Sequence, residues 1–455
     1  MKRILYIICS IFALSSCNYL DIVPTGKVIP EKVTEFRALL TNGYSAFPRY
    51  KYLLSLRSDE VMPIVGDSYY MDYIDFAIWQ DNSPNTTVNY PWSSPYKAIF
   101  YTNSVIEDVM SAEEDTEEDV SWLANKAAAM RIFSGVKGES LLLRAYAHFD
   151  LLNLYGKPYK PESAISDRGI PIATQIDIEQ KYEAATVEEV YKQIFADIKE
   201  GRELLQVEQQ ARNVQYRFSK RSAIALEARV RLYHQDWEDA LALAEELIPS
   251  CPLENLNEET AGDPALITSK EAILSLEVIG SYYLNGGMHI TSQLLGKYNQ
   301  AGDKRFGMYF KENGNYYVCK REYGNNARIT FRSGEIYLIA AEAAAHVEGK
   351  LELAKTRLKE LIANRLTPDY YAEKAAEIDG MNQNQFIEEI ANERARELAI
   401  EGHRWFDLRR TTRPSMEKTY VLNGEEREIT LTQDDIRYTI SFPKEATEAN
   451  PNLRN

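Results

Sequence analysis

Along much of this chain apolar side chains recur at three- and four-residue spacings, and that period predicts helices. From Gly138 to Tyr155, Leu141, Ala145, Phe149 and Leu152 share a face, and Gly156 with Pro158 supplies the stop. Thr186 to Leu205 carries Val190, Ile194, Ile198 and Leu205 on one face and opens with Thr186 three residues before Glu189, the spacing of a capping box. Two longer segments each read as a pair of short amphipathic helices joined by a tight turn. The first, Ser219 to Ile248, places Ala223, Leu226, Ala228, Leu232, Tyr233, Trp237, Ala240, Leu241 and Ala244 inward. The second, Arg332 to Ile362, does the same with Ile336, Leu338, Ala341, Ala345, Ala354, Leu358 and Leu361.

Small alanines at the helix crossings beside large residues resemble tetratricopeptide units of about 34 residues, which bury their faces only by stacking. Such units are expected near 137–205, 219–249 and 332–364 within a helical body of 31–455. They are imperfect and widely separated, so the expectation is a helical scaffold decorated by irregular loops, not a regular solenoid. Near 251–331 glycine and asparagine recur, as in Asn285-Gly286-Gly287, Asn313-Gly314-Asn315 and Gly324-Asn325-Asn326, marking a loop-rich insert. Ala272 to Val278 and Tyr316 to Cys319 read as brief strands inside it. A second irregular region lies between Pro63 and Pro95, and loops on a rigid scaffold are where binding residues concentrate.

Composition places the chain among ordinary globular proteins: 455 residues, 45% hydrophobic and 26% charged. That length fits about three domains of roughly 150 residues, or one helical array with a second lobe. The formal net charge of −16 argues against nucleic acid as a partner and against adsorption to an anionic lipid surface. Any membrane attachment then needs an anchor, and the first residues suggest one. Lys2-Arg3 followed by the apolar run Ile4 to Leu14 has the form of a secretory signal (1–16) and is too short to span a bilayer. Leu14-Ser15-Ser16-Cys17 resembles a lipobox, in which the cysteine is acylated and becomes the new N-terminus. Cys17 is therefore the expected lipid anchor, and 17–30, with Pro24, Gly26 and Pro30, the expected tether. Loss of Lys2 and Arg3 with the leader takes the charge from −16 to −18. Cys251 and Cys319 remain, either as one bridge or as two buried thiols.

No catalytic signature is legible. The five histidines show no metal-ligand spacing; His148, His234 and His346 fall in helical patterns, where a structural role is the better reading. GxSxG, P-loop and GxGxxG motifs are all missing. No cofactor is expected. The informative bias is 30 Tyr against 15 Phe, because tyrosine joins a flat apolar face to a hydrogen-bonding edge and suits polar ligands with apolar ring faces, such as sugars. One candidate cluster is Tyr69, Tyr70, Tyr73, Phe76 and Trp79 with Asn82 and Asn85. A second is Tyr282, Tyr283 and Asn285. Tyr73 and Phe76 also fit a helix core stripe, whereas Trp79, beside the polar run Gln80 to Asn82, reads as a surface aromatic.

Several stretches together resemble the SusD/RagB family of outer-membrane lipoproteins from Bacteroidetes. They are Cys17-Asn18-Tyr19-Leu20-Asp21 with Pro24; Trp92, Tyr96, Ile99 and Asn103; Arg144-Ala145 with Tyr155-Gly156; and Asp303-Lys304-Arg305. Arg332, Glu335, Tyr337-Leu338 and Ala341-Glu342-Ala343 form another, and the tail Tyr438 to Phe442-Pro443 with Asn450-Pro451 and Asn455 a last. The most specific is Glu393-Arg394-x2-Glu397-Leu398-x2-Glu401-Gly402-x-Arg404-Trp405-Phe406-Asp407-Leu408-x-Arg410. The resemblance implies a mainly α fold in which tetratricopeptide-like helix pairs form a right-handed scaffold with long irregular inserts. It also implies a surface-exposed, lipid-anchored protein that captures a nutrient, usually a glycan and in some relatives a peptide, and passes it to a SusC-like TonB-dependent transporter. A lipid-anchored hydrolase is the reading from another class. Arg394 shares a helix face with Phe386, Ile390 and Leu398, so it needs a carboxylate partner, for which Glu397 and Asp407 are the candidates. Gly402 is expected to end that helix, and the run as a whole to be a structural ion-pair network rather than a catalytic one.

Overall fold

In a computed structural model of the chain, residues 30–81, 89–111, 122–176 and 182–453 are described. The leader, Cys17, nearly all of the tether, Asn82 and Asn85 lie outside them. Helix dominates, at 55% against 10% strand. The principal helices, in chain order, begin with α1 Val33–Ala46, α2 Lys51–Arg57, α3 Tyr70–Ala77, α4 Ser93–Asp108 and α5 Trp122–Tyr155. Next come α6 Val187–Leu204, α7 Lys220–His234, α8 Trp237–Leu247 and α9 Tyr282–Gly286. The C-terminal part holds α10 Ser333–His346, α11 Leu351–Ile362, α12 Pro368–Gly380, α13 Gln383–Glu397 and α14 Arg404–Arg410.

The long α5 organises the N-terminal half. Its Arg144 grips Asp197 of α6 through both carboxylate oxygens, at 2.8 and 2.6 Å, and reaches Asn103 of α4 at 2.9 Å. One buried guanidinium thus ties three helices, which is what the Arg144-Ala145 motif does. Tyr96 and Asn103 of α4 donate to the carbonyls of Pro171 and Ala173, pinning the strand-like return to α6. α5 and α6 cross where both lack side chains: a Cβ on Gly201 would stand 2.8 Å from Leu142 Cγ, and one on Gly138 3.0 Å from the Gly201 carbonyl. Thr186 caps α6 as its spacing suggests, accepting from the Glu189 amide while Glu189 returns to the Thr186 amide.

Helices α7 and α8 turn through Gln235 in the left-handed region, and α10 with α11 forms the second pair. The pairs meet where Trp237 of α8 stacks on His346 of α10, with ring centroids 4.1 Å apart. Ala340, Ala341, Ala343, Ala344 and Ala345 are all buried, so α10 runs through the core, where its Glu335 and Glu342 pair with Arg229 and Arg410. His148 is also buried, accepts from the Ala173 amide, and is pushed by burial down to about 3.

Among the described residues there are four two-stranded antiparallel sheets, two of which join segments distant in the chain. β1 (Val61–Pro63) pairs with β3 (Met288–Ile290), and β2 (Ala272–Leu274) with β6 (Phe331–Arg332). β4 (Phe310–Asn313) and β5 (Tyr316–Cys319) form a hairpin, as do β7 (Met416–Leu422) and β8 (Glu425–Leu431). The last hairpin was not legible as such in the apolar pattern, although Asn423-Gly424, both at positive φ, is a strong hairpin turn. Cys251 and Cys319 are free thiols, each buried, and burial pushes the Cys319 thiol up to about 11.

The Glu393 to Arg410 run lies in the core. Glu397 accepts from Arg305 at 2.9 Å, from Arg365 at 2.9 Å through both oxygens, and from Arg332. All four side chains are essentially inaccessible. Burial pushes the Glu397 carboxyl up, but Arg365, Arg332 and Arg305 win and hold it well below the usual carboxylate range. Of the two candidate partners of Arg394, the structure selects Asp407, at 2.9 Å; the oxygens of Glu397 are taken by the other three arginines. One expectation is corrected. Gly402 does not end α13, which stops at Glu397; it sits at φ +81 in the turn before α14, where a Cβ would stand 2.7 Å from Lys51 Cβ.

Candidate functional site

The two sequence clusters of tyrosines are brought together by the β1–β3 pairing. The Ile64 amide donates to the Gly287 carbonyl, which sets the start of α3 beside α9. Asp67 accepts from the Tyr69 amide at 2.8 Å and fixes the turn into α3, while Ser281 accepts from the Tyr283 amide and fixes α9. The rings then form a connected surface. Tyr69 meets Tyr283 with centroids 4.7 Å apart, Tyr283 meets Tyr282 at 6.0 Å, and Tyr282 meets Tyr323 at 5.9 Å. These are edge contacts, in which the edge of one ring meets the face of the next.

Exposure separates the surface layer from its support. Tyr282, Tyr323 and Tyr69 are 61%, 50% and 38% exposed, with Tyr283 half-buried among them. Beneath, Tyr73 is buried against Tyr283 at 5.3 Å and Tyr52 at 6.1 Å, and burial raises its hydroxyl above the usual tyrosine range. The support restricts the rotamers of the outer rings, so a ligand meets a preorganised patch. A further exposed ring, Tyr316 on β5, stacks on His289 of β3 at 5.0 Å. Chemically the patch offers flat apolar faces edged by hydroxyls. Among the described residues no group of three or more His, Cys, Asp and Glu is placed to hold a metal ion.

The other expected site residues fall elsewhere. Tyr70 is buried, and its hydroxyl accepts from the Val421 amide of β7. Asn285 is half-buried and spends an amide hydrogen on the Arg321 carbonyl at 2.7 Å, which ties it into the insert. Trp79 is the clearest correction. It is 2% exposed, its indole N–H donates to the Arg57 carbonyl at 2.8 Å, and Lys418 sits 4.8 Å from the ring centroid. With no free face it cannot stack on a ligand. Tyr323 was missed, although it immediately precedes the Gly324-Asn325-Asn326 turn, where an aromatic is carried outward.

A family model described as SusD-like, starch-binding and associating with the outer membrane, matches residues 18–232, and one described as the SusD family matches 288–453. A SusD-like protein from Formosa agariphila is 23% identical over 439 residues, covering 79% of this chain and 78% of the relative. Among solved structures, a SusD superfamily protein from Bacteroides thetaiotaomicron superposes with a TM-score of 0.74 at 20% identity, over 92% of this chain and 98% of its own. A laminarin-binding SusD-like protein superposes with a TM-score of 0.60 at 20% identity, over 84% and 92%. Among the described residues, no helix is long and apolar enough to cross a membrane.

Proposed function

This chain belongs to the SusD/RagB family, and from that premise we propose that it is a cell-surface glycan-binding protein whose contact surface is the tyrosine patch of Tyr69, Tyr282, Tyr283 and Tyr323. The observation that carries the reading is the exposure of three rings held by a buried aromatic layer. Sugar rings present apolar C–H faces and equatorial hydroxyls, which match tyrosine faces and edges. Binding of this kind leaves the ligand chemically unchanged. One structural neighbour is a laminarin-binding protein, which favours a glycan over a peptide.

The rest of the proposal follows from the family. Cys17 carries the lipid, 17–30 is the tether, and the body hands its ligand to a SusC-like TonB-dependent transporter in the outer membrane. A short tether keeps the body at high effective concentration above that partner. The test is a panel of neutral and acidic oligosaccharides, measured by calorimetry on the intact protein and on Tyr282→Ala and Tyr323→Ala. Saturable binding of an oligosaccharide that both substitutions weaken supports the reading. Binding of peptides instead, or release of product on long incubation, overturns it.

A further inference from the structure

A groove of about 990 Å³, separate from the tyrosine patch, runs between the loop after α5 and the C-terminal tail, with Lys157, Lys160, Asp167, Arg168, Arg413 and Asp434 on its walls. The acids lining it are Asp167, Asp434 and Asp435. Each is already neutralised, by Lys157 at 2.9 Å, Arg413 at 2.5 Å and Arg437 at 2.7 Å. The remaining cations are not. Lys160 forms no ion pair among the described residues, and its charge reaches Asp167 and Asp434 only at longer range. Arg168 donates to the Tyr155 carbonyl and lies 4.3 Å over the Phe442 ring, with no carboxylate partner among the described residues. Behind the wall, Arg409 is buried and among the described residues its side chain is bonded to the carbonyls of Tyr438 and Gly156. In a chain of net charge −16 this groove carries uncompensated positive charge, so it attracts an anionic group.

The apolar side chains of the groove decide which kind of anion. Ile436 and Ile165 are 87% and 74% exposed, the two highest values among large apolar side chains of the described residues. Ile436 lines the groove, and Ile165 stands between its lining residues Ser163 and Asp167. The turn presenting Ile436 is firm: Asp434 is at φ +57 and Asp435 accepts from the Arg437 amide. The aromatics of the groove, by contrast, have no open face. Tyr438 stacks on Trp405 at 4.9 Å, and Phe442 is covered by Arg168 and by Trp92 at 5.1 Å. Exposed aliphatic side chains beside unpaired cations fit a polypeptide better than a sugar, which seeks ring faces.

We propose that this groove docks an extended acidic segment of a partner polypeptide, with carboxylates meeting Lys160 and Arg168 and an aliphatic side chain packing on Ile436. The probe is a phage-displayed library of random linear dodecapeptides selected on the intact protein, with counter-selection on a Lys160→Glu, Ile436→Asp double variant whose melting curve establishes that it is folded. Both substitutions are on the surface and outside the tyrosine patch. The expected result is enrichment of sequences in which Asp and Glu flank Leu or Ile. A synthetic consensus peptide should bind the intact protein and Tyr282→Ala alike, lose about tenfold in affinity on the double variant, and weaken with added salt. Peptides without an acidic excess, or peptides that bind the double variant equally well, overturn the proposal. So does a heparin-derived oligosaccharide that binds the groove while no acidic peptide is enriched, which assigns it to an acidic glycan.

Discussion

The region round Glu397 and the region round Tyr282 both crowd chemically capable side chains into a small volume, and they differ in one respect. The first has its charges buried and paired with one another; the second has its polar edges in water. A buried guanidinium–carboxylate network spends its hydrogen bonds on itself and fixes the packing of α13, α14 and the insert. The tyrosine patch keeps its faces unsatisfied and is rigid only from below. Dense motif residues therefore mark architecture in this protein, and the sparse, unpatterned set of rings is the surface we propose for recognition.

The largest expected effect tests the buried side of this contrast. Glu397→Ala leaves Arg305, Arg332 and Arg365 without their shared carboxylate, and should cost about 3–5 kcal/mol of stability in urea unfolding. A loss under about 1 kcal/mol would show that the network is dispensable. Trp79→Ala comes next. It opens a cavity beneath the β7–β8 hairpin and should cost on the order of 3 kcal/mol, while glycan affinity of the folded fraction stays within a few-fold. A selective loss of binding at unchanged stability would return Trp79 to the site. Tyr282→Ala and Tyr323→Ala should do the opposite, lowering glycan affinity by about 1–3 kcal/mol and shifting stability by no more than about 0.5 kcal/mol.

A smaller effect is expected with pH. Burial pushes Lys418 down to about 7 from its ordinary 10.5. Between those values the unfolded chain holds a proton that the folded chain has released, so this residue makes stability rise with pH across that window and penalises the fold below it. In Lys418→Met that slope should vanish from urea melts taken between pH 7 and 10; an unchanged slope rules out this residue as its source. The smallest effect belongs to Arg394→Met. Asp407 keeps its bond to Arg410 at 2.9 Å, so glycan affinity in folded protein should remain unchanged in calorimetry.

Helix starts and stops were largely legible because their causes are local. Thr186 caps α6 through a residue three positions away, and the alanine-rich face of α10 repeats every turn. The tyrosine clusters were legible as separate candidates for the same reason. Their union was not, since it depends on β1 pairing with β3 across the length of the N-terminal half. Trp79 misled because Gln80 beside it is exposed, while Lys418 and the hairpin that cover it arrive from the far end of the chain. The partners of Arg394 and Glu397 were divisible only once the buried guanidiniums of Arg305, Arg332 and Arg365 had positions.

The sequence by itself thus determined the helical period, the caps and the family, all of which reside in residues a few positions apart. The tertiary structure alone decided which aromatics face water and which cations lack a carboxylate, because burial and pairing are set by segments that meet only after the chain has folded.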